Sequence, residues 1–285
     1  MGSPFHALAQ GDLVAPAAQA LRLVVIPVYV INLLRSPERR AWMEAELARA
    51  GVEGIFVRAV DGRRFDQRCA RDARPALSKA EAALILSHRK AWRTFLASGA
   101  DHAVVLEDDV HLGRDFQATL GLDWSRWRFD AVKLETLLHK AWRSRRGESA
   151  GTRRLHRLGA EHLGAAAYLL SRAGARKMLA ATRPLAEQVD QTLFGRRAIW
   201  EAELEALQLV PAIAVQDTVR PDTAPRRELA STLHEDDRKR LAERVQREKP
   251  RGPERWRREA QRLADQIRRW IRLAPSMQRR RIPWE

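Results

Sequence analysis

His102-Ala103-Val104-Val105-Leu106-Glu107-Asp108-Asp109 is an apolar run that stops abruptly in three carboxylates. Its β-branched and aliphatic residues, too few for a helix, read as a buried strand over residues 102–106. In open α/β sheets ligands bind beyond the carboxyl ends of the strands. Three adjacent acids at such an end are therefore either a site or an acidic turn. They repel one another, so something cationic must offset them. A hard divalent ion with oxygen ligands does this and also bridges to phosphates. Glu107 and Asp109 are two residues apart and would project to one side of an extended chain, as two arms for one metal. An acidic loop or helix cap is the plain alternative for so short a motif.

Outward from this stretch the pattern alternates between strand and helix. Residues 24–32 form an apolar, Val/Ile-rich strand. Ser36 suits an N-cap and Pro37 a first helical position. The helix they start carries Trp42, Met43, Leu47 and Ala50 at helical spacing and stops at Gly51. Residues 55–60 make a second strand, ending in Asp61-Gly62. This strand–helix–strand run implies parallel strands with a right-handed crossover. Ser78 with Glu81 has the spacing of a capping box and opens a helix over 77–95 that buries Leu84, Ile85, His88, Trp92 and Phe95. Downstream, residues 129–134 form a strand ending at Glu135, 165–170 another, 171–179 a helix capped by Ser171, 189–194 a short helix and 207–215 a late strand. Residues 138–158 are basic and read as an irregular, mobile loop. No internal repeat is visible.

Several polar residues fall where chemistry would. Asn32, Arg35 and Ser36 lie where a strand end meets a helix N-terminus, which offers free N–H groups to a phosphate; Arg35 could pair with a pyrophosphate. Asp61 could take a ribose hydroxyl, or simply form a turn. Glu81 and His88 share one helix face. Asp190 and Glu135 are both candidate general bases.

The chain has 285 residues, 45% of them hydrophobic, and a formal net charge of +16. Such a charge points to an anionic partner: nucleic acid, anionic lipid or a phosphorylated substrate. The single cysteine, Cys69, excludes an intrachain disulfide. Residues 1–20 read as a poorly ordered leader without the basic n-region of a secretory signal. The apolar run 21–34 is shorter than the roughly 20 residues that span a bilayer. These features lead us to expect a cytoplasmic protein, soluble or peripheral on the inner face of the inner membrane. Residues 21–222 then form the principal domain and 223–285 a basic amphipathic helical tail. Residues 225–285 hold 19 Lys/Arg against 10 Asp/Glu. Trp256, Ala260, Leu263, Ile267, Trp270, Ile271 and Ala274 recur there at helical spacing, so the tail would lie on an anionic membrane surface or pack on the domain.

The order of these motifs resembles glycosyltransferase family 25, the lipopolysaccharide and lipooligosaccharide galactosyltransferase family. The resemblance runs over roughly residues 24–217. It is carried by Val30-Ile31-Asn32-Leu33 with Arg35-Ser36 and Arg39-Arg40, Ala59-Val60-Asp61-Gly62, Leu77-Ser78 with Glu81, and Leu86-Ser87-His88 with Ala91-Trp92. It continues in Val105-Leu106-Glu107-Asp108-Asp109-Val110, Phe129-Asp130 with Lys133-Leu134, Ala167-Tyr168-Leu169-Leu170-Ser171 and Val189-Asp190-Gln191. Ala82-Ala83 depart from the family's pattern after Glu81.

The resemblance implies an α/β, GT-A-like Rossmann-type nucleotide-sugar-binding domain with a mostly parallel sheet. It also implies a UDP-sugar donor, UDP-galactose foremost, a surface-glycan or lipid-linked acceptor, and inversion at the anomeric carbon. Glu107 and Asp109 would hold Mn²⁺ or Mg²⁺. Asn32, Arg35, Asp61, Glu81, His88 and Asp108 would fall on the donor side, with Asp190, ahead of Glu135, as the base near the acceptor. The competing expectation is a non-catalytic basic protein that binds nucleic acid or glycan. No nucleic-acid module signature supports that, and no nucleic-acid partner is expected.

Overall fold

The computed structural model describes residues 26–64, 77–200, 204–220, 260, 263, 264, 267 and 274–285. The leader, Cys69 and most of the basic tail, including Trp256, Trp270 and Ile271, lie outside these residues.

An eight-stranded sheet organises the domain, in the order β2-β1-β3-β10-β5-β11-β9-β8. Its strands are β1 (Val28–Asn32), β2 (Gly54–Arg58), β3 (His102–Glu107), β5 (Ala131–Lys133), β8 (Glu148–Ala150), β9 (Arg153–Arg157), β10 (Ala167–Ser171) and β11 (Ala206–Val210). A three-stranded sheet runs β4 (Val110–Leu112), β12 (Ala214–Gln216), β6 (Glu135–Thr136), and β7 (Lys140–Ser144) pairs with β13 (Met277–Arg281). The helices are α1 (Pro37–Arg49), α2 (Lys79–Ala97), α3 (Phe116–Leu120), α4 (Arg172–Ala181), α5 (Val189–Phe194) and α6 (Arg196–Trp200).

β1 shows why the sequence reads as one apolar run. Tyr29 and Ile31 pack into one core with Ile85, Trp92 and Phe95 of α2, whereas Val28 and Val30 face a second core with Met43 and Leu47 of α1. Burial on both faces removes the polar alternation of a surface strand. α2 is set by the expected capping box: Glu81 N–H donates to Ser78 Oγ at 3.2 Å and Ser78 N–H to Glu81 Oε2 at 2.9 Å. At α1, Pro37 takes the first turn as expected, but the Ser36 side chain makes no capping hydrogen bond.

Three expectations are corrected. The sheet is mixed: β1 pairs in parallel with β2 and β3, and β11 with β5, but β10 runs antiparallel to both its neighbours and β8 and β9 are antiparallel additions. Residues 138–158 are β7, β8 and β9 rather than an irregular loop. Arg153 occupies an inward position there because its guanidinium donates to Asp115 Oδ2 at 2.9 Å and to the Pro211 carbonyl at 2.8 Å. The late strand is two strands, β11 and β12, separated at Pro211, which has no N–H to give a ladder.

The tail also differs from a wholly helical extension. Residues 260, 263, 264 and 267 are helical, with Leu263 and Ile267 exposed, but the chain returns to the body as β13. Ile282 is fully buried and Thr136 Oγ1 donates to its carbonyl at 2.7 Å.

Candidate active site

Parallel pairing of β1 with β2 and β3 brings three strand ends to one edge, with Ile31 opposite Glu107 and Asn32 opposite Arg58. A cleft of about 270 Å³ opens there. Arg35, Arg39, Arg63 and Lys79 contribute cations to its lining; Asp61 and the triplet Glu107, Asp108 and Asp109 contribute carboxylates. The triplet is not an extended pair of arms. β3 ends at Glu107 and the chain turns through Asp108 and Asp109, so the turn, not strand alternation, aims all three acids at one space.

Arg39 resolves much of their repulsion. One of its guanidinium nitrogens lies 2.6 Å from Asp108 Oδ1 and 3.1 Å from Asp109 Oδ2. Asn32 Nδ2 donates to the other Asp108 oxygen at 2.7 Å. Both Asp108 oxygens are thus engaged inside the protein, which gives Asp108 and Asn32 a clear role in shaping the turn. Among the described residues Glu107 has no Lys or Arg within ion-pair distance. Burial, then the charges of Glu135 and Asp108, push its carboxyl up to about 8. Burial and the Glu107 charge push Asp109 up to about 7.

Glu107 faces a buried hydrogen-bond relay. Trp92 Nε1–H, a donor only, donates to the Tyr168 hydroxyl oxygen at 2.8 Å. The Tyr168 hydroxyl is therefore free to donate to His88 Nδ1, also at 2.8 Å. His88 then carries its proton on Nε2, 3.6 Å from Glu107 Oε1. Burial depresses the imidazole to about 3, so it is neutral. His88 is fully buried and does not line the cleft, and its Nε2 has no hydrogen-bond partner among the described residues.

A second, smaller pocket of about 140 Å³ is lined by Glu81, Glu107, Gly164, Gln188, Asp190 and Gln216 among others. Glu107 and Leu84 line both pockets. Asp190, in the first turn of α5, accepts from Gln191 N–H at 2.8 Å and Gly164 N–H at 3.3 Å, leaving its remaining lone pairs towards the pocket. Glu81 borders this pocket and not the larger cleft, with its carboxylate engaged by the Ser78 cap and the Gln188 amide. Glu135 borders neither. It is fully buried, accepts from Lys133 Nζ at 3.0 Å and Ala166 N–H at 2.8 Å, and its Oε2 has no partner among the described residues. Glu135 thus acts on Glu107 by its charge, which raises that carboxyl. Gly164 is held at φ +97°, and a Cβ there would come within 3.0 Å of both Glu135 Oε1 and Lys133 Nζ.

Arg35 and Asp61 close the outer end of the large cleft as an ion pair at 3.1 Å. The pair is partly exposed, so either member can exchange its partner for a ligand at small cost. Sequence reasoning missed Arg39 as the partner of the acidic turn, and it missed Tyr168 and Lys133. Arg39 and Arg40 look alike in sequence; only the phase of α1 sends one inward and leaves the other exposed.

Among the described residues no three His, Cys, Asp or Glu side chains gather as a ready metal cage. The donor set fits an ion of the other kind, which takes one or two carboxylates and completes its shell with substrate phosphates and water. Glu107 is raised by burial and by the charges of Glu135 and Asp108, and Asp109 by burial and by the charge of Glu107, so a counterion favours their being ionised together.

An acidic turn and a set of cations thus share one cleft, with a carboxylate-lined pocket adjoining it. The model of glycosyltransferase family 25 (LPS biosynthesis protein) matches residues 25–193, and the chain belongs to that family. It is 32% identical over 206 residues to lacto-N-neotetraose biosynthesis glycosyltransferase LgtB of Neisseria gonorrhoeae, covering 66% of this chain and 74% of the relative. It is also 32% identical over 164 residues to LgtE of Neisseria meningitidis serogroup B (53% of this chain, 59% of the relative). A third relative, the probable inactive glycosyltransferase 25 family member 3 of Bos taurus, is 31% identical over 220 residues (66% and 36%).

Proposed function

We propose that this glycosyltransferase moves a hexose, galactose foremost, from a UDP-sugar to a lipopolysaccharide, lipooligosaccharide or related lipid-linked surface glycan, with inversion. The observation that carries the reading is Glu107, shared by a cation-lined cleft and a separate pocket holding Asp190. This geometry suits a donor diphosphate on one side and an acceptor hydroxyl on the other.

The diphosphate would lie against Arg35, Arg63 and Lys79, whose charges favour the leaving group. Glu107 and Asp109 would hold Mn²⁺ or Mg²⁺, which when bound supplies charge neutralisation to the departing diphosphate. Asp190 accepts the proton of the acceptor hydroxyl as its oxygen bonds to the anomeric carbon. The bond from that carbon to the phosphate oxygen breaks, and UDP leaves with the electron pair. The two backbone N–H groups on Asp190 fix its orientation, and orientation contributes much of such a rate gain. The Trp92–Tyr168–His88 chain fixes the His88 tautomer, with Nε2 facing Glu107 from 3.6 Å.

A non-catalytic reading has one specific support, a relative described as probably inactive. Against it stand Glu107, Asp109 and Asp190, all facing open space. The test is UDP release from a panel of UDP-sugars, with Mn²⁺ and with chelator. Mn²⁺-dependent release from UDP-galactose or UDP-glucose supports the proposal and identifies the donor. Silence with every donor, candidate acceptors included, refutes it.

A further inference from the structure

The antiparallel ribbon β7–β13 carries a charge distribution that its own folding does not explain. Register places Arg281 opposite Lys140 and Arg279 opposite Trp142. Residues directly opposite share a face, so this face presents three cations around one half-buried indole. Like charges directly opposite each other destabilise a strand pair. On the other face of the ribbon, Arg143 is held below the usual guanidinium range by burial and then by the Arg280 charge.

No compensating acid is at hand among the described residues. Lys140, Arg145, Arg146, Arg279, Arg280 and Arg281 are all exposed, and none has a carboxylate within ion-pair distance. Glu205 pairs with Arg157, Glu285 accepts from Arg114 N–H at 2.6 Å, and exposed Glu148 on β8 forms no ion pair with the ribbon among the described residues. The ribbon is nonetheless firmly built, since Thr136 Oγ1 ties it through Ile282 to β6, whose Glu135 packs behind Gly164 of the acceptor-side pocket.

We propose that the exposed face of β7–β13 seats the protein on an anionic bilayer surface, with Lys140, Arg279 and Arg281 on phosphate headgroups and Trp142 at the interface. Indoles favour the bilayer interface, and clustered Lys/Arg favour anionic lipid. The proposal deepens the reading of a lipid-linked acceptor, because β6 links the ribbon to the pocket that would receive it.

Flotation of the full chain with vesicles tests it. The chain should float with phosphatidylcholine–phosphatidylglycerol vesicles and not with phosphatidylcholine alone. In the variant Lys140→Gln/Arg279→Gln/Arg281→Gln, partition should fall roughly fivefold per cation removed, about a hundredfold in all. The charge-keeping variant Arg279→Lys/Arg281→Lys should stay close to wild type, which separates charge from folding. Undiminished flotation of the triple glutamine variant overturns the proposal, as does equal binding to neutral vesicles. Displacement from vesicles by a random oligonucleotide at equal phosphate concentration overturns it in favour of a nucleic-acid surface. The readout is binding, so it stands or falls separately from UDP-sugar turnover, which the glutamine variant should retain on a soluble acceptor.

Discussion

Replacing Arg39 by glutamine removes the one cation that touches two buried carboxylates. Its guanidinium, Asp108 and Asp109 are each less than a tenth exposed, with contacts of 2.6 and 3.1 Å. Breaking a buried ion pair from one side leaves an uncompensated charge and costs about 3–5 kcal/mol. At about 2–4 °C per kcal/mol for a domain of this size, Tm should fall by about 6–20 °C. A double-mutant cycle with Asp108→Asn isolates the pair: once Asp108 is neutral, much of the Arg39→Gln cost should vanish, giving a coupling of at least about 2 kcal/mol. The assay is urea denaturation of the four proteins at pH 7.5 in chelator. Costs that add to within about 0.5 kcal/mol, as for independent sites, would refute the claim that Arg39 stabilises the acidic turn.

Asp109→Ala should nearly abolish UDP release in Mn²⁺, measured at saturating donor; normal turnover would sink its assignment as a metal ligand. Asp190→Asn should lower transfer by about 10²–10⁴-fold while leaving UDP-sugar affinity by calorimetry unchanged, and lost donor affinity would remove Asp190 from the acceptor side. Tyr168→Phe strips the partner from both Trp92 Nε1 and His88 Nδ1, so stability should drop by about 1–3 kcal/mol with kcat falling more than KM rises; an unchanged kcat would confine the relay to folding. His162, depressed to about 3 by burial and then by Lys133, is neutral when folded. Below about pH 6.5 the unfolded chain takes up a proton that folded His162 refuses, so stability falls as pH drops towards 3, by about 1.4 kcal/mol per unit for this group. His162→Gln should flatten urea midpoint against pH over that window, and an unaltered slope would contradict the burial argument.

The capping box at Ser78 and Glu81, the apolar runs of β1 and β3, and the acids after β3 were legible because each is local. A cap spans one helical turn, and a strand buried on both faces shows itself as uninterrupted Val, Ile and Leu. Residues 138–158 were illegible for the opposite reason. Their inward positions include Arg153, whose burial makes sense only when Asp115 and the Pro211 carbonyl are brought to it from elsewhere. β13 was likewise hidden, since Arg279, Arg280 and Arg281 carry no apolar alternation and become a strand only by pairing with β7.

The site divides along the same line. Composition and order along the chain determined its ingredients, an acidic triplet at a strand end and Asp190 on a later helix, and with them the family. Tertiary structure decided their roles. The phase of α1 put Arg39 rather than Arg40 on the acidic turn, while the antiparallel insertion of β10 carried Tyr168 under His88. Glu135 is turned to Lys133, while Asp190 lines the smaller pocket beside Glu81 and Glu107. These outcomes depend on contacts between residues up to 80 positions apart. They are governed by which buried charge finds a partner and which is left facing open space, and neither is encoded in any one segment.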